Sequence, residues 1–240
     1  MPNLGFAQNT PWHPSAEIPL TLAVIIPTYH DDEALKRLLI SLRLYDYEIW
    51  VVDGADSLIT RELCGQAGVR YASSPPGRGQ QIAVGVKRAK AEWLWMLHAD
   101  SDVDATCHSR LAERIAAEPA WGRFNVHISG LGLIGHLMNL RSRLTGICTG
   151  DQAMYCHRSL LNDIGGFPAQ PLMEDIELSR RLKRLSAPFY AEEEMVGTSA
   201  RRWRANGIVR TVLSMWWFRL RYFFGASPES LYASYYGRKT

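Results

Sequence analysis

Short apolar runs alternate with amphipathic stretches along the N-terminal part of the chain. Residues 22–26 and 49–52 are continuously apolar, which is typical of strands buried on both faces of a sheet. Leucines over residues 35–42 recur at the spacing of one helical face, and residues 57–67 and 80–90 also show helical spacing. Strands that alternate with helices predict βαβ units, and therefore an α/β fold with a Rossmann-like, mostly parallel central sheet and helices on both faces.

The apolar run Trp93–Leu97 leads directly into a polar cluster formed by His98, Asp100 and Asp102. Side chains at the carboxyl edge of a parallel sheet lie where α/β proteins bind ligands. Carboxylates are costly to hold close together there unless a cation neutralises them, so the cluster indicates a divalent metal. The alternative explanation is a solvated turn in which an aspartate caps the next helix.

Other strand ends and loops also carry candidate chemistry. We expect Pro27 to end the first strand, because proline cannot donate to a ladder. Asp53 follows the second strand, where its carboxylate could accept hydrogen bonds from a nucleobase or a ribose, or simply form a turn with Gly54. Arg78 lies between two glycines that would let it approach a phosphate, although an ordinary surface loop explains it equally well. These glycines lack the G-x-G-x-x-G spacing of a dinucleotide site.

Beyond the polar cluster the pattern changes. Residues 121–128 alternate between apolar and polar, as in a strand with one solvent-exposed face. Residues 131–147 fit either a helix lining the site or a mobile loop over it. Residues 173–182 predict a helix with acids in the first turn and bases in the last, as the helix dipole prefers. The dipole would keep Glu174 and Asp175 ionised, as a general base requires, although plain charge compensation also explains this pair.

Composition narrows the class of protein. The 240 residues are 47% hydrophobic, enough for one sizeable core, and a net charge of +3 is too small to indicate a nucleic-acid partner. Four cysteines without a C-x-x-C pair predict free thiols in a reducing compartment, and hence a cytoplasmic protein. Residues 1–20 contain four prolines and no apolar run, so we expect a loosely ordered arm and no signal peptide.

Six motifs, taken in order, resemble those of family 2 glycosyltransferases, which have the GT-A fold. The motifs are Ile25-Ile26-Pro27-Thr28-Tyr29, Val51-Val52-Asp53-Gly54, Gly77-Arg78-Gly79, Leu97-His98-Ala99-Asp100, Gly165-Gly166-Phe167 and Met173-Glu174-Asp175-Ile176-Glu177-Leu178. The ordered set is far more specific than any one motif. It implies a GT-A domain over residues 21–205, followed by a C-terminal amphipathic helical extension over residues 206–240.

The resemblance also implies roles for individual residues. Asp175 would be the catalytic base, with Glu174 as the other catalytic candidate beside it. Asp100 would bind a divalent cation, Mg²⁺ or Mn²⁺. The chain departs from the family pattern at His98, which occupies the first position of the usual D-x-D element and is the second candidate metal ligand.

The same resemblance implies a binding site for a nucleotide-diphosphate sugar. Asp53 would contact the nucleobase and Tyr29 would stack near it. The implied site comprises Pro27, Tyr29, Asp53, Arg78, Asp100, Asp151, Arg202 and Trp203.

The implied reaction is an inverting transfer of the sugar to a hydroxyl of a small-molecule or lipid-linked acceptor. Residues 199–203 resemble the Q-x-x-R-W element of processive members but lack its glutamine, which favours a single-transfer enzyme. Residues 150–152, 171–175 and 198–203 are similar to a bacterial subgroup associated with arsenosugar biosynthesis.

Two other classes of protein compete with this interpretation. Asp100 and Asp102 also fit the D-x-D-x-[TV] element of haloacid-dehalogenase-like phosphatases. Those enzymes carry a lysine before a later acidic motif, yet none occurs between Lys90 and Lys183. A non-enzymatic module that binds membranes or nucleic acid would explain the basic, aromatic residues 201–224 but leaves the strand-end acids without a role. We therefore expect no nucleic-acid partner.

Residues 208–224 form an amphipathic pattern near the C-terminus. Seventeen residues interrupted by three arginines are too short and too charged for a membrane span, which needs about 20 mostly apolar residues. This helix could dock on its own domain, form a homodimer, or lie peripherally on the inner face of the membrane. Arg219 lies towards its apolar side and would need a partner at any buried surface. We predict that the protein binds anionic liposomes at low salt.

Overall fold

The computed structural model describes residues 22–116 and 120–237, except for the side chains of residues 192, 193, 202 and 206. The predicted N-terminal arm over residues 1–20 lies outside the described residues. Within the described ranges, seven strands form one sheet in the order β3-β2-β1-β4-β6-β5-β7. In chain order they are β1 (Leu22–Thr28), β2 (Glu48–Asp53), β3 (Arg70–Ser73), β4 (Trp93–Met96), β5 (Trp121–Ile128), β6 (Tyr155–His157) and β7 (Phe189–Thr198).

The sheet is mostly parallel. Strand β1 pairs in parallel with β2 on one side and β4 on the other, whereas β6 runs antiparallel between β4 and β5. The carboxyl ends of β1, β2 and β4 therefore meet at one edge. The parallel sheet predicted from the alternation of strands and helices is confirmed.

Ten helices accompany the sheet in the described part of the chain. They are α1 (Asp32–Leu42), α2 (Leu58–Ala67), α3 (Arg78–Arg88), α4 (Ala105–Ile115), α5 (Gly132–Thr145), α6 (Arg158–Asp163), α7 (Glu174–Leu182), α8 (Arg201–Asn206), α9 (Ile208–Phe223) and α10 (Pro228–Tyr236). Helix α5 settles the ambiguous segment as a helix packed on β5. Its Gly135 allows close packing, because a Cβ there would lie only 3.0 Å from the carbonyl oxygen of Val126.

Strand β1 shows how the core is divided between the two faces of the sheet. Val24 and Ile26 pack in the cluster that contains apolar side chains of α1, α2 and α4. Ala23 and Ile25 pack on the opposite face with side chains of α3 and α7. Both faces are therefore covered by helices, which explains why the strand is apolar at every one of these positions. The four cysteines are buried and unpaired, as predicted.

The prediction that Pro27 ends the first strand is wrong. Strand β1 continues to Thr28, and Pro27 stands opposite Val52 of β2. Pairing between β1 and β4 stops at Ile25 and Met96. Pro27 therefore lies where β1 is paired on one side, which tolerates the missing donor.

Candidate active site

A cleft of about 460 Å³ opens at the carboxyl ends of β1 and β4. We call it the main cleft. The N-terminus of α3 and two tyrosines of α10 complete its walls. Five of the residues predicted for the site line it, namely Pro27, Tyr29, Arg78, His98 and Asp100. This position, at the sheet edge where β1 and β4 end, is where open α/β sheets bind ligands.

A smaller pocket of about 150 Å³ borders the main cleft, and we call it the side pocket. Arg78 and Tyr236 line both spaces. The side pocket also contains three predicted site residues, Asp151, Glu174 and Asp175. Helices α9 and α10 form its outer wall, through Phe218, Arg219 and Tyr235 among others.

Glu174 and Asp175 begin α7, as predicted, but their environments differ. The Glu174 side chain is 1% exposed and accepts a hydrogen bond from Nε of Arg78. Burial raises the pKa of Glu174, an effect that the charge of Arg78 opposes. The Asp175 side chain is 13% exposed, and its oxygens accept from the backbone N–H groups of Gly150 at 3.1 Å and Ile176 at 2.8 Å. Asp175 is thus the more accessible carboxylate, while Glu174 holds Arg78.

Arg78 is the charged centre between the two spaces. Its Nη2 lies 3.5 Å from Oδ2 of Asp175, in addition to the bond with Glu174. Burial would lower the pKa of Arg78, but the carboxylates of Glu174, Asp175 and Asp151 outweigh burial and raise this pKa. The guanidinium therefore remains charged and available to a bound anion at the rim.

His98 connects Arg78 to Asp151. Its Nε2 lies 3.0 Å from Nη1 of Arg78, and its Nδ1 lies 3.1 Å from Oδ1 of Asp151. Since a guanidinium can only donate, Nε2 accepts and the ring proton sits on Nδ1, facing Asp151. Gly150 is required beside this ring, because a Cβ at that position would clash with Nε2. A metal ion bound to His98 would have to displace one of these two partners.

The carboxylate of Asp100 reaches the main cleft with a side chain that is 24% exposed. Arg201 forms a bidentate pair of hydrogen bonds with Asp31, from Nη1 to Oδ1 at 3.0 Å and from Nη2 to Oδ2 at 2.7 Å. Its Nη2 also lies 3.9 Å from Oδ2 of Asp100. Among the described residues, no group of three His, Cys, Asp or Glu is placed to hold a metal ion. A cation bound at Asp100 would therefore take its other ligands from a bound diphosphate and from water.

Two predicted site residues, Asp53 and Trp203, do not line either of these spaces. Asp53 is fully buried, and its oxygens accept from the backbone N–H groups of Ala55 at 2.9 Å and Ser57 at 2.7 Å. It therefore fixes the turn after β2, and its contact with a nucleobase stays a prediction. Trp203 is buried in an apolar cluster beside α5 and α9. The side chain of Arg202 lies outside the described residues.

Sequence reasoning missed several residues of the site. Gln81 is buried in α3, and its amide donates to the carbonyl oxygens of Thr28 at 2.6 Å and Val52 at 2.8 Å. It thereby ties together the ends of β1 and β2. Tyr232 and Tyr236 line the main cleft from α10, far along the chain. Their i, i+4 spacing was a signal for a shared helical face, but nothing in the sequence says what that face covers.

Comparisons with known proteins show to which family the chain belongs. The model of glycosyl transferase family 2 matches residues 23–165. A comparison with curated proteins finds none that matches the chain. The crystal structure of S. aureus TarS 1–349 superposes with a TM-score of 0.58 at 16% identity, over 75% of this chain and 60% of that one. This chain thus spans about three fifths of that structure.

Other solved structures share the fold. The mannosyltransferase PcManGT from Pyrobaculum calidifontis, in complex with GDP-Man and Mn²⁺, has a TM-score of 0.62 and 19% identity, over 90% of this chain and 69% of that one. Glucosyl-3-phosphoglycerate synthase from Mycobacterium tuberculosis, in complex with Mn²⁺, UDP and glucosyl-3-phosphoglycerate, has a TM-score of 0.54 and 15% identity, over 79% and 77%. These similarities confirm the predicted fold. Because the family model matches more than half of the 240 residues, the chain belongs to glycosyl transferase family 2.

Proposed function

We propose that this protein transfers a sugar from a nucleotide-diphosphate donor to an acceptor hydroxyl, in a single displacement that inverts the anomeric carbon. The observation that carries the proposal is the placement of Asp175, whose carboxylate lines the side pocket next to the main cleft. Family membership supports the reaction class. The PcManGT and TarS structures, which contain GDP-Man and UDP-GlcNAc, support a nucleotide-sugar donor.

The donor fits the main cleft. Tyr29, Tyr232 and Tyr236 offer aromatic surface for a nucleobase, and Arg78 offers a guanidinium for the diphosphate. Asp100 would hold Mg²⁺ or Mn²⁺ jointly with diphosphate oxygens, since these cations prefer oxygen ligands. When bound, such a cation neutralises the charge of the departing diphosphate.

The acceptor fits the side pocket. Asp175 would take the proton of the acceptor hydroxyl as that oxygen attacks the anomeric carbon. Its two backbone N–H donors hold the carboxylate in place, and Glu174 holds Arg78 beside it. A single displacement by an acceptor oxygen that enters from the side pocket would invert the anomeric carbon.

A thermal-shift screen of nucleotide sugars and nucleoside diphosphates, with and without Mn²⁺, tests this function. We expect a larger rise in melting temperature with Mn²⁺ than without it, because a ligand that binds only the native state stabilises it. Hydrolysis of a generic phosphate ester, without any response to nucleotides, would instead favour the phosphatase alternative based on Asp100 and Asp102. Resemblance to the arsenosugar-associated subgroup stays a prediction about the acceptor.

We also propose that the protein contacts the membrane peripherally through α5 and α9. Helix α9 packs its Val212 and Met215 against the same small apolar cluster as Ile134 and Met138 of α5. The apolar stripe that faces away from this cluster is exposed. It comprises Leu133, Leu137, Leu140 and Leu144 of α5, which are 43–78% exposed, and Val209, Leu213, Trp216, Leu220 and Phe223 of α9, which are 49–82% exposed.

The charges around these stripes favour an anionic bilayer over a second copy of the chain. Residues 129–150 and 199–228 contain no aspartate or glutamate, while Arg143, Arg210 and Arg221 flank the apolar positions. A twofold dimer would place this surface against itself and bring arginines together without acids. Anionic headgroups would instead attract them. No helix in the described part of the chain is long and apolar enough to cross a membrane.

A further inference from the structure

Two arginines from different helices lie near each other, and one of them, Arg219, lines the side pocket. Arg219 of α9 lines the pocket together with Thr149, Asp151 and Asp175. Arg141 of α5 lies close enough to Arg219 for the two charges to repel. Burial lowers the pKa of both guanidiniums, to about 10 for Arg141, and the charge of Arg219 adds to this effect on Arg141. Two partly buried cations are thus held near each other.

Arg141 has buried donors without partners, and Arg219 reaches the side pocket without forming a hydrogen bond to the described residues. Nε and Nη2 of Arg141 are buried and have no hydrogen-bond partner among the described residues. No hydrogen bond or ion pair joins Arg219 to any other described residue. Its nearest opposite charges are Asp175 and Asp151. Those carboxylates already accept from backbone N–H groups and from His98, respectively.

Two other arginines of this protein, buried Arg123 and partly buried Arg158, find hydrogen-bond partners, although Nε of Arg114 is also buried without one among the described residues. Arg123 donates to the Ser142 hydroxyl at 3.2 Å and to the carbonyl oxygen of Asn139 at 3.2 Å. Arg158 donates to the carbonyl oxygens of residues 86, 89 and 91, at 2.8–3.1 Å. The fold can therefore pair a structural arginine with its own backbone. Buried donors left without partners next to a pocket indicate a ligand that supplies the acceptors.

We propose that Arg141 and Arg219 form a subsite for a phosphate group carried by the acceptor. Two guanidiniums match the charge of a phosphate monoester, about −2, and supply donors in the geometry that its oxygens accept. The inference rests on the proposed function, because it places the phosphate beside Asp175 as the base and leaves Arg78 and Asp100 to the donor diphosphate. The acceptor is then a phosphorylated molecule with a free hydroxyl.

Titration with inorganic phosphate, followed by calorimetry in the presence of saturating UDP or GDP and Mn²⁺, tests the subsite. We expect phosphate to bind alongside the nucleotide, and Arg141→Gln or Arg219→Gln to weaken it by about tenfold or more. Arg143→Gln, an exposed change on the same helix, should leave phosphate binding unchanged. Each variant should keep the thermal shift caused by the nucleoside diphosphate, which also shows that it is folded.

Each other outcome overturns the subsite. Displacement of phosphate by the nucleotide would assign the arginines to the donor. Equal phosphate binding by wild type and both variants would mean an adventitious ion only. A loss of vesicle binding in Arg219→Gln would assign the pair to a lipid headgroup. If phosphate does not bind while a nucleotide still stabilises the protein, only the proposed subsite is wrong. If no nucleotide stabilises the protein, the proposed function is wrong.

Discussion

The main cleft and the side pocket are held together in different ways. In the main cleft, the amide of Gln81 donates to the backbone at the ends of β1 and β2, so the wall formed by α3 is fixed to the sheet, although Tyr232 and Tyr236 of α10 complete the cleft. The outer wall of the side pocket comes from α9 and α10, which are anchored by buried side chains such as Phe218 and Leu231. The difference suggests a division of labour: the sheet edge fixes where the reaction occurs, and the C-terminal helices shape the space for the acceptor.

The strongest test of this division replaces Asp175, the proposed base. Asp175→Asn should lower turnover by a factor of about a hundred to ten thousand, the usual contribution of a positioned base, with donor binding little changed. Steady-state kinetics and a donor titration measure both quantities. The matched variant Glu174→Gln should weaken the hold on Arg78. Near-normal turnover in Asp175→Asn would move the base to Glu174 or Asp151.

The next test acts on the main cleft. Asp100→Ala should abolish the Mn²⁺-dependent part of the stabilisation by a nucleoside diphosphate, which amounts to roughly 2.7 kcal/mol at about a hundred times the dissociation constant. Thermal shifts with and without Mn²⁺ measure it, and Asp102→Asn is the control from the same loop. An unchanged shift in Asp100→Ala would show that this carboxylate is not the ligand.

A third test measures how much a buried residue of the core, away from the candidate site, contributes to the stability of the protein. Burial lowers the pKa of His108 from 6.5 to about 4, and its ring bonds the Tyr47 hydroxyl at 3.0 Å. Because the unfolded chain binds this proton more readily, the stability present above pH 6.5 should fall as the pH drops towards 4, by about 1–3 kcal/mol. Urea unfolding at several pH values measures this slope. His108→Gln should flatten it, and an identical slope in that variant would exclude His108 as the cause.

The smallest expected effect concerns the outer surface of the C-terminal helices. Sedimentation with phosphatidylserine vesicles should show binding that weakens as salt is raised, and Arg210→Gln or Arg221→Gln should each cost about 1 kcal/mol at low ionic strength. Phe223→Ser should also reduce binding, whereas Leu58→Ser, an exposed apolar position on α2, should not. A protein that stays in the supernatant and runs as a dimer would show that this surface is a subunit interface.

The sequence predicted the sheet edge far better than the C-terminal wall. Consecutive strands of a parallel sheet end at the same edge, so Arg78, His98 and Asp100 could be placed together without knowing any long-range contact. The pattern predicted that Asp175 lies at a helix start, whereas its role as the base came from the family resemblance. The local pattern also predicted α5 as one of two alternatives.

The sequence does not show which face of a helix packs against the rest of the protein. The periodicity of α9 shows an apolar stripe, yet the structure buries Thr211 and Phe218 and leaves Leu213 and Phe223 exposed. Which side of a helix docks depends on the surface that it meets. Asp53 illustrates the opposite limit, because the same carboxylate suits a ligand or a turn; the structure shows its hydrogen bonds within the turn, and its contact with a nucleobase stays a prediction.

Because Arg78 borders both spaces, donor and acceptor are not expected to bind independently. A diphosphate that draws this guanidinium towards the main cleft would loosen its contact with Asp175. It would also change the electrostatic field in the side pocket, where we propose that the acceptor binds. Thermodynamic reciprocity then requires the acceptor to alter donor affinity by the same factor. One side chain thus couples the binding of the two proposed substrates, and a donor that draws Arg78 away from Asp175 would leave this carboxylate freer to act as the base.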